Sequence, residues 1–298
     1  MALYAFDGTG NEDRPGTDRD SNVLHFFNAY QDPPLPGAAA ARRSLYIEGI
    51  GVRAHTPIGD ILARTFGLAA RQRLREARQR LDRNLAEGDA TVDVVGFSRG
   101  AALAIDFANH VCKNVTAATV RFVGVWDIVA QFGLPGEHVN LGFDLECPDV
   151  VAYHAMAIDE DRALFPLTRL SKAGRVLDKL REVWFRGVHS DVGGGNGNRG
   201  LNWIALHWMF ENARRHGLPI DPAAVAANLA FKDLPRAIKA HEVAVGPQRR
   251  FASGDALHAT VELSESDRRR FLSDPRIALS IVDDAGSLSP LRPATRNA

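Results

Sequence analysis

Ser98 is the residue of this chain whose surroundings most clearly suggest chemistry. It stands at the centre of the pentapeptide 96–100, Gly-Phe-Ser-Arg-Gly, which follows the valine-rich run 91–95 and precedes an alanine-rich segment. A Gly-x-Ser-x-Gly sequence between a strand and a helix is typical of a nucleophile elbow, a strained turn that exposes the serine hydroxyl at the carboxyl end of a sheet. The alternative interpretation is an ordinary strand-to-helix turn. The pattern predicts that Ser98 is a nucleophile.

His189 is the candidate general base. It follows a predicted strand over 182–188 and opens a loop with three consecutive glycines, 193–195. Glycines permit positive φ angles, so such a loop can bring an imidazole over the edge of a sheet. His154, by contrast, lies inside an apolar run, where a core histidine is expected. We therefore expect His189 to accept the proton of Ser98.

Two aspartates are candidates for the acid that would orient His189. Asp127 and Asp159 each follow a predicted strand between the serine and the histidine. The chain order of serine, acid and histidine is that of the α/β-hydrolases. In their usual topology the acid follows the second strand after the nucleophile strand, and this count favours Asp159. Asp191 ranks third because it is too near His189 in sequence for an easy side-on contact.

Two short segments could supply the backbone N–H groups that stabilise an oxyanion. Arg99 opens the predicted helix after the elbow, and the first N–H groups of a helix have no partner within it. Gly8 and Thr9 lie in a turn-rich loop after the first predicted strand, 3–6. We expect one donor from each segment.

Two motifs for phosphate chemistry are present but disfavoured. The loop at Asp7 is similar to the Asp-x-Asp-Gly-Thr motif of haloacid-dehalogenase phosphatases, but Ala5 stands where that chemistry needs its nucleophilic aspartate. Residues 195–200 match the dinucleotide fingerprint Gly-x-Gly-x-x-Gly. A His-Ser-Asp-Val segment separates them from the preceding strand, and no second strand ends in an acid at the required distance. We therefore expect neither a phosphatase nor a nucleotide enzyme.

Predicted strands and helices alternate along the chain. This alternation favours an α/β fold, α/β-hydrolase-like, in which a mostly parallel sheet has helices on both faces. The clearest helix spans 68–87, where Leu74, Ala77 and Leu81 recur at helical spacing. Its arginines predict a solvated outer face, and the alternative is a surface for anionic phospholipid headgroups.

Length and charge limit the domain organisation and the class of partner. The chain has 298 residues and contains no linker or repeat that demands a boundary. We expect a single domain over 1–298, with a core over about 1–217 and a cover of helices and loops over 218–298. The 36 Lys and Arg residues balance the 36 Asp and Glu residues. The net charge therefore gives no reason to expect a nucleic-acid partner.

The cysteines and the N-terminus bear on the location of the protein. Cys112 and Cys147 give neither a disulfide framework nor a metal-binding spacing, so we expect buried free thiols in a reducing compartment. The first residues lack the basic and apolar regions of a secretory signal, and no apolar run is long enough for a transmembrane helix. We expect synthesis in the cytoplasm, with export by a signal-independent route as the alternative. The predicted chemistry requires no metal and no organic cofactor.

Four segments, taken together and in order, resemble one family. They are 6–11 (Phe-Asp-Gly-Thr-Gly-Asn), 96–101 (Gly-Phe-Ser-Arg-Gly-Ala), 124–127 (Gly-Val-Trp-Asp) and 182–195, which contains Val-His-Ser-Asp-Val-Gly-Gly-Gly. The chain resembles the bacterial and fungal α/β-hydrolase family catalogued as domain of unknown function 2235, which includes type VI secretion phospholipase effectors. The resemblance extends over about residues 2–215.

This resemblance implies a serine hydrolase that acts on ester bonds, with phospholipids as the substrate class. By motif, Ser98 corresponds to the nucleophile, Asp127 to the acid and His189 to the base, so the resemblance favours Asp127 over Asp159. The partners it suggests are a membrane surface, a secretion apparatus and an inhibitor. Two alternatives stay open: an esterase for small soluble esters, and a binding module that keeps the hydrolase fold without catalysis.

Overall fold

A nine-stranded sheet forms the centre of the fold in a computed structural model of the chain. The structure describes residues 1–11, 19–34, 42–51, 59–130, 144–147, 149–171, 179–238, 246, 248–274 and 276–291. The strands within these ranges are β1 (Ala2–Phe6), β2 (Leu45–Ile47), β3 (Thr91–Phe97), β4 (Thr119–Trp126), β5 (Val151–Ala157), β6 (Leu180–Phe185), β7 (Ala256–His258), β8 (Ser280–Val282) and β9 (Leu288–Pro290). Their order across the sheet is β2-β1-β3-β4-β5-β6-β7-β8-β9. Every neighbouring pair is parallel except β8 with β9.

Helices cover both faces of this sheet. They are α1 (Asn22–Ala29), α2 (Gly59–Ala86), α3 (Ser98–Asn114), α4 (His189–Gly193), α5 (Arg199–Arg215), α6 (Pro222–Asn228) and α7 (Glu265–Phe271). Buried side chains of α2 and α3 share one apolar cluster with the sheet, and those of α1 and α5 share another. Because both faces are covered, the central strands are buried almost throughout. The architecture is the α/β-hydrolase-like arrangement that the sequence predicts.

The long helix α2 follows its predicted pattern. Leu74, Ala77 and Leu81 are buried against the sheet, whereas Arg71 and Arg75 are exposed. The apolar positions recur every three or four residues, which places them on one face of a helix. Within the described residues, no helix combines the length and the apolar character needed to cross a membrane.

The C-terminal residues differ from expectation. The cover over 218–298, predicted as helices and loops, also contributes β7, β8 and β9 to the main sheet. Each of these strands has three residues, too few for a period-two pattern to be visible in the sequence. Their pairing with β6 and with each other stabilises them instead. The assignment of 1–298 to a single domain stays a prediction.

The expectation of free thiols is wrong. Cys112 and Cys147 form a disulfide with a Cα–Cα distance of 5.6 Å. Cys112 is exposed near the end of α3, and Cys147 is buried beneath it. Two isolated cysteines 35 residues apart give no sequence signal for pairing. Only the packing of the segment around 145–147 against α3 brings the two sulfurs together.

Candidate active site

Ser98 occupies a strained turn between β3 and α3. Its φ angle is +58°, a left-handed conformation that costs a serine free energy unless its surroundings hold it. Gly96 makes the turn possible, because a Cβ there would lie 2.7 Å from the Cα of Ala101. A Cβ on Gly100 would collide with the carbonyl oxygens of Phe6 and Asp7 in the neighbouring loop. Strand, helix and loop therefore meet so closely that only glycine fits at these two positions, as in a nucleophile elbow.

His189 reaches the elbow from the other side. It is the first residue of α4, which begins four residues after β6 ends. A Cβ on Gly193 would collide with the ring of Phe97, so this glycine allows α4 to pack on the end of β3. The imidazole lies between two rings, with centroid distances of 4.6 Å to Phe97 and 4.8 Å to Phe165. These contacts leave the imidazole little freedom to rotate.

The structure brings Ser98, His189 and Asp127 into one hydrogen-bonded line. The Nε2 atom of His189 lies 2.8 Å from Oγ of Ser98, and its Nδ1 atom lies 2.6 Å from Oδ2 of Asp127. An ionised carboxylate only accepts hydrogen bonds, so the Asp127 contact requires a proton on Nδ1. The neutral imidazole then has a free lone pair on Nε2, directed at the serine hydroxyl. All three side chains are buried.

Asp127 is held by more groups than a sequence motif could indicate. It lies just after β4 with a φ angle of +40°, and its Oδ1 accepts the N–H of Ala157 at 2.8 Å. Arg249 donates to both carboxylate oxygens, at 2.6 Å to Oδ1 and 3.0 Å to Oδ2. The sequence reasoning missed Arg249, because it is one arginine of many in a segment without a motif. No local signal could have identified it.

The charged groups near these three side chains favour an ionised carboxylate at Asp127 and a neutral imidazole at His189. Burial alone would raise the pKa of Asp127, but the Arg249 guanidinium and the His189 hydrogen bond hold that pKa well below its ordinary value. Burial lowers the pKa of His189, and the positive charge of Arg249 lowers it further, against the opposing effects of Asp127 and Glu160. The imidazole is therefore neutral at neutral pH and able to accept a proton.

The structure does not bring Asp159, the alternative acid, to His189. The carboxylate of Asp159 accepts the backbone N–H of Gly187 at 2.7 Å and pairs with Nε of Arg186 at 3.0 Å. Its position after β5 fits the strand count, but its side chain supports the chain that leads into α4. Asp127, after the strand next to the elbow strand, occupies the place beside the imidazole instead.

Asp191 supports the same turn from within α4. Its Oδ2 accepts the backbone N–H of Val188 at 3.1 Å, and its Oδ1 accepts the side-chain amides of Asn196 and Asn198, each at 2.8 Å. These bonds cap the start of the short helix and tie it to the following glycine-rich loop. Asp191 thus lies close to His189 in sequence but holds the backbone rather than the imidazole.

The candidate oxyanion donors border the elbow. Arg99 is the second residue of α3, and its Nη1 lies 3.3 Å from Oγ1 of Thr9. The N–H of Gly8 already donates to the Asp7 carboxylate at 2.6 Å, which differs from the expected role of that N–H. The same carboxylate accepts bonds from Asn11, Ser21 and Tyr46. Asp7 is therefore a buried anchor for this loop.

His154, expected as a core histidine, is fully buried and hydrogen-bonded. Its Nδ1 lies 2.9 Å from Oε1 of Glu182, and its Nε2 accepts the backbone N–H of Ile128 at 3.3 Å. The second bond fixes the residue that follows Asp127. In the described part of the chain, no three His, Cys, Asp or Glu side chains are grouped so as to hold a metal ion.

Comparisons with known proteins identify one matching family and two similar solved structures. Residues 3–115 and 106–212 match the family model described as type VI secretion system, phospholipase effector Tle1-like, catalytic domain. An uncharacterised protein from Pseudomonas aeruginosa shares the fold with a TM-score of 0.50 and 19% identity over 80% of this chain. The Tle1 effector bound to the VgrG spike of the type VI secretion system matches with a TM-score of 0.44 and 23% identity over 67% of this chain.

This chain spans about half the length of those two solved structures, since 51% of each is covered. No curated protein matches it.

Proposed function

The chain belongs to the family of Tle1-like catalytic domains of type VI secretion phospholipase effectors, and on this premise we propose that it is a serine hydrolase of phospholipid esters. The observation that carries the proposal is the continuous line from Ser98 Oγ through His189 to Asp127, with contacts of 2.8 and 2.6 Å. A neutral imidazole between a hydroxyl and an ionised carboxylate is the arrangement that serine hydrolases use.

In the proposed reaction Ser98 forms a covalent acyl intermediate. Its hydroxyl gives a proton to Nε2 of His189 as Oγ attacks the ester carbonyl carbon, and Asp127 stabilises the imidazolium that results. His189 then passes this proton to the leaving alcohol oxygen as the carbon–oxygen bond breaks. A water molecule gives a proton to His189 and attacks the acyl carbon. Ser98 leaves with that proton, and the carboxylic acid is released.

The negative oxygen of the tetrahedral intermediate needs two donors. We assign the Arg99 N–H at the start of α3 as one of them, because the first N–H groups of a helix point out of its end. The second comes from the loop of Gly8 and Thr9. The N–H of Thr9 is the better candidate, since that of Gly8 already donates to Asp7. Loss of one such donor typically costs about 3–4 kcal/mol of transition-state stabilisation.

Phospholipid is the substrate class that the family description suggests, and the type VI secretion apparatus is the partner. Export through that apparatus would require no cleaved signal. Hydrolysis of small soluble esters is an outcome that the test must separate from this proposal.

The test combines covalent labelling with two substrate classes. A fluorophosphonate probe should label the wild-type chain at Ser98, and the chain should release fatty acid from vesicles of phosphatidylethanolamine and phosphatidylglycerol. Turnover of short p-nitrophenyl esters, the second substrate class, is measured in parallel. Ser98→Ala should not be labelled, and its kcat should fall by on the order of a million-fold. Ser253→Ala, which changes an exposed serine, should keep both the labelling and the turnover of the wild type.

The outcomes separate the three candidate functions. If Ser98 is labelled and the chain hydrolyses short esters but not the vesicle phospholipids, the chain is an esterase for small soluble esters. Neither labelling nor turnover by the wild type would contradict catalysis and leave the binding module.

A further inference from the structure

Arg249 forms a buried ion pair with the candidate acid and contacts two further segments. Its guanidinium donates to Asp127, to the carbonyl oxygen of Ala157 at 2.5 Å and to that of Phe165 at 3.1 Å. We propose that Arg249 is a positioning residue of the hydrolase, which holds both carboxylate oxygens of Asp127 and so locks this acid in its productive orientation towards His189. This inference rests on the proposed serine-hydrolase function.

The locking role follows from the hydrogen bonds of the carboxylate. Each oxygen of Asp127 accepts two bonds: Oδ1 from Ala157 and Arg249, and Oδ2 from His189 and Arg249. A planar guanidinium that holds both oxygens fixes the plane of the carboxylate, which a single-point donor cannot do. Rotation of the carboxylate would break all these bonds at once. Oδ2 is therefore kept in line with Nδ1 of His189.

The electrostatic role follows from the groups that face His189. The carboxylates of Asp127 and Glu160 favour the imidazolium, and the guanidinium of Arg249 opposes it. Glu160 lies close through a bond of 3.1 Å from the backbone N–H of His189. With Arg249 present, the imidazole stays neutral to lower pH and still has a carboxylate to stabilise the cation formed during the reaction. A protonated imidazole could not accept the proton of Ser98.

The contact with Phe165 extends the same control to the surroundings of the base. The ring of Phe165 packs on the imidazole at 4.8 Å, and Arg249 binds its backbone carbonyl. Arg249 lies after residue 212, where the range matched by the family model ends. Because Arg249 contacts Asp127, the C-terminal part of the chain contributes to the candidate active site as well as covering the sheet. It supplies a cation that contacts the candidate acid.

The test uses Arg249→Gln, Arg249→Lys and a matched control, Arg43→Gln. Arg43 is also a buried arginine paired with a carboxylate, at 2.8 Å to Asp89. Asp89 precedes β3, so this pair lies at the amino end of that strand, whereas Ser98 follows its carboxyl end. Two quantities are measured against pH: kcat/KM for a short p-nitrophenyl ester, and the titration of His189 by NMR of ¹³C-histidine-labelled protein. His189→Gln assigns the signal.

In Arg249→Gln both midpoints should move to higher pH by about one unit, the order expected for loss of a neighbouring charge. In Arg249→Lys, which keeps the charge but not the paired bonds, kcat should fall about ten-fold or more with a smaller shift. Arg43→Gln should move neither midpoint. Should Arg249→Gln fail to fold, Arg249→Lys provides the test, because the proposed positioning role requires its kcat to fall.

Unchanged midpoints in folded Arg249→Gln, or wild-type kcat in Arg249→Lys, would overturn the inference. A shift of equal size in Arg43→Gln would do so as well, because it would indicate a general effect of lost stability. The NMR titration needs no turnover. An inactive wild type would therefore contradict the proposed function while the effect of Arg249 on His189 is still measured.

Discussion

Ser98 and Asp127 follow two residues that are paired directly across the sheet, Phe97 of β3 and Trp126 of β4. Among the described residues they are also the two non-glycine residues with positive φ, at +58° and +40°. Such conformations cost about 1–3 kcal/mol each and persist where surrounding contacts impose them. Here a bond of 2.8 Å from the Asp127 N–H to Ala155 holds the second turn. Two strained turns at one edge of the sheet thus direct two side chains towards His189.

We expect mutation of the two candidate acids to have clearly different effects on kcat/KM. Asp127→Asn should lower kcat/KM by on the order of 10⁴, because an amide cannot hold the required imidazole tautomer or stabilise its cation. Asp159→Asn should lower stability, because it loses the ion pair with Arg186, and should keep kcat/KM within about ten-fold of wild type. Steady-state kinetics and thermal unfolding of both variants provide the check. Equal loss of activity in the two would contradict the assignment of Asp127.

The activity should depend on pH through His189. Burial and Arg249 place the pKa of this imidazole below its ordinary value of 6.5. Because the neutral form accepts the serine proton, activity should be complete above that pKa and fall as the pH drops through it. The acid limb of kcat/KM should therefore have its midpoint below pH 6.5. A midpoint above pH 7 in the rate of fluorophosphonate labelling would contradict this electrostatic account.

Gly100→Ala should damage the elbow. The new Cβ would collide with the carbonyl oxygens of Phe6 and Asp7, so the start of α3 must move away from the loop that carries Thr9. We expect kcat to fall by at least about a hundred-fold, since a displacement of about 1 Å at a reacting group can have that effect.

Gly88→Ala is the control for Gly100→Ala. Gly88 has a φ of +84° and open space around it, so alanine there should cost about 1 kcal/mol of stability without loss of activity. Rates and unfolding midpoints of both variants, measured side by side, distinguish displaced geometry from lost stability. Wild-type kcat in folded Gly100→Ala would refute the importance of this close approach.

The disulfide should contribute to stability but not to activity. Cys112 lies fourteen residues after Ser98 on α3, about 20 Å along the helix axis. Reduction, or the change Cys112→Ala with Cys147→Ala, should lower the free energy of unfolding by about 2–4 kcal/mol. Urea unfolding with and without reductant measures this difference. Thiol titration of the untreated, unfolded chain should find no free thiol, and two free thiols would show that the cysteines are unpaired.

The predictable part of the protein was encoded in local patterns. Alternating strands and helices indicated a parallel sheet, and Leu74, Ala77 and Leu81 indicated the buried face of α2. Ser98 and His189 were identifiable because each stands in a glycine-containing turn directly after a strand. Parallel strands place their carboxyl ends at one edge, so these two residues could be expected near each other before any coordinates were known.

Only the tertiary structure determines which residues from distant parts of the chain lie beside Ser98 and His189. The strand count favoured Asp159 and the family resemblance favoured Asp127, and the turn after β4 brings Asp127 to the imidazole. Arg249 enters the site from 122 residues away, and Cys112 meets Cys147 across 35. Such contacts depend on where distant segments cross, and neither a residue's neighbours in the chain nor its helical or strand period carries that information. A local motif identifies a reactive group, whereas its charge environment is set by the packing of the whole chain.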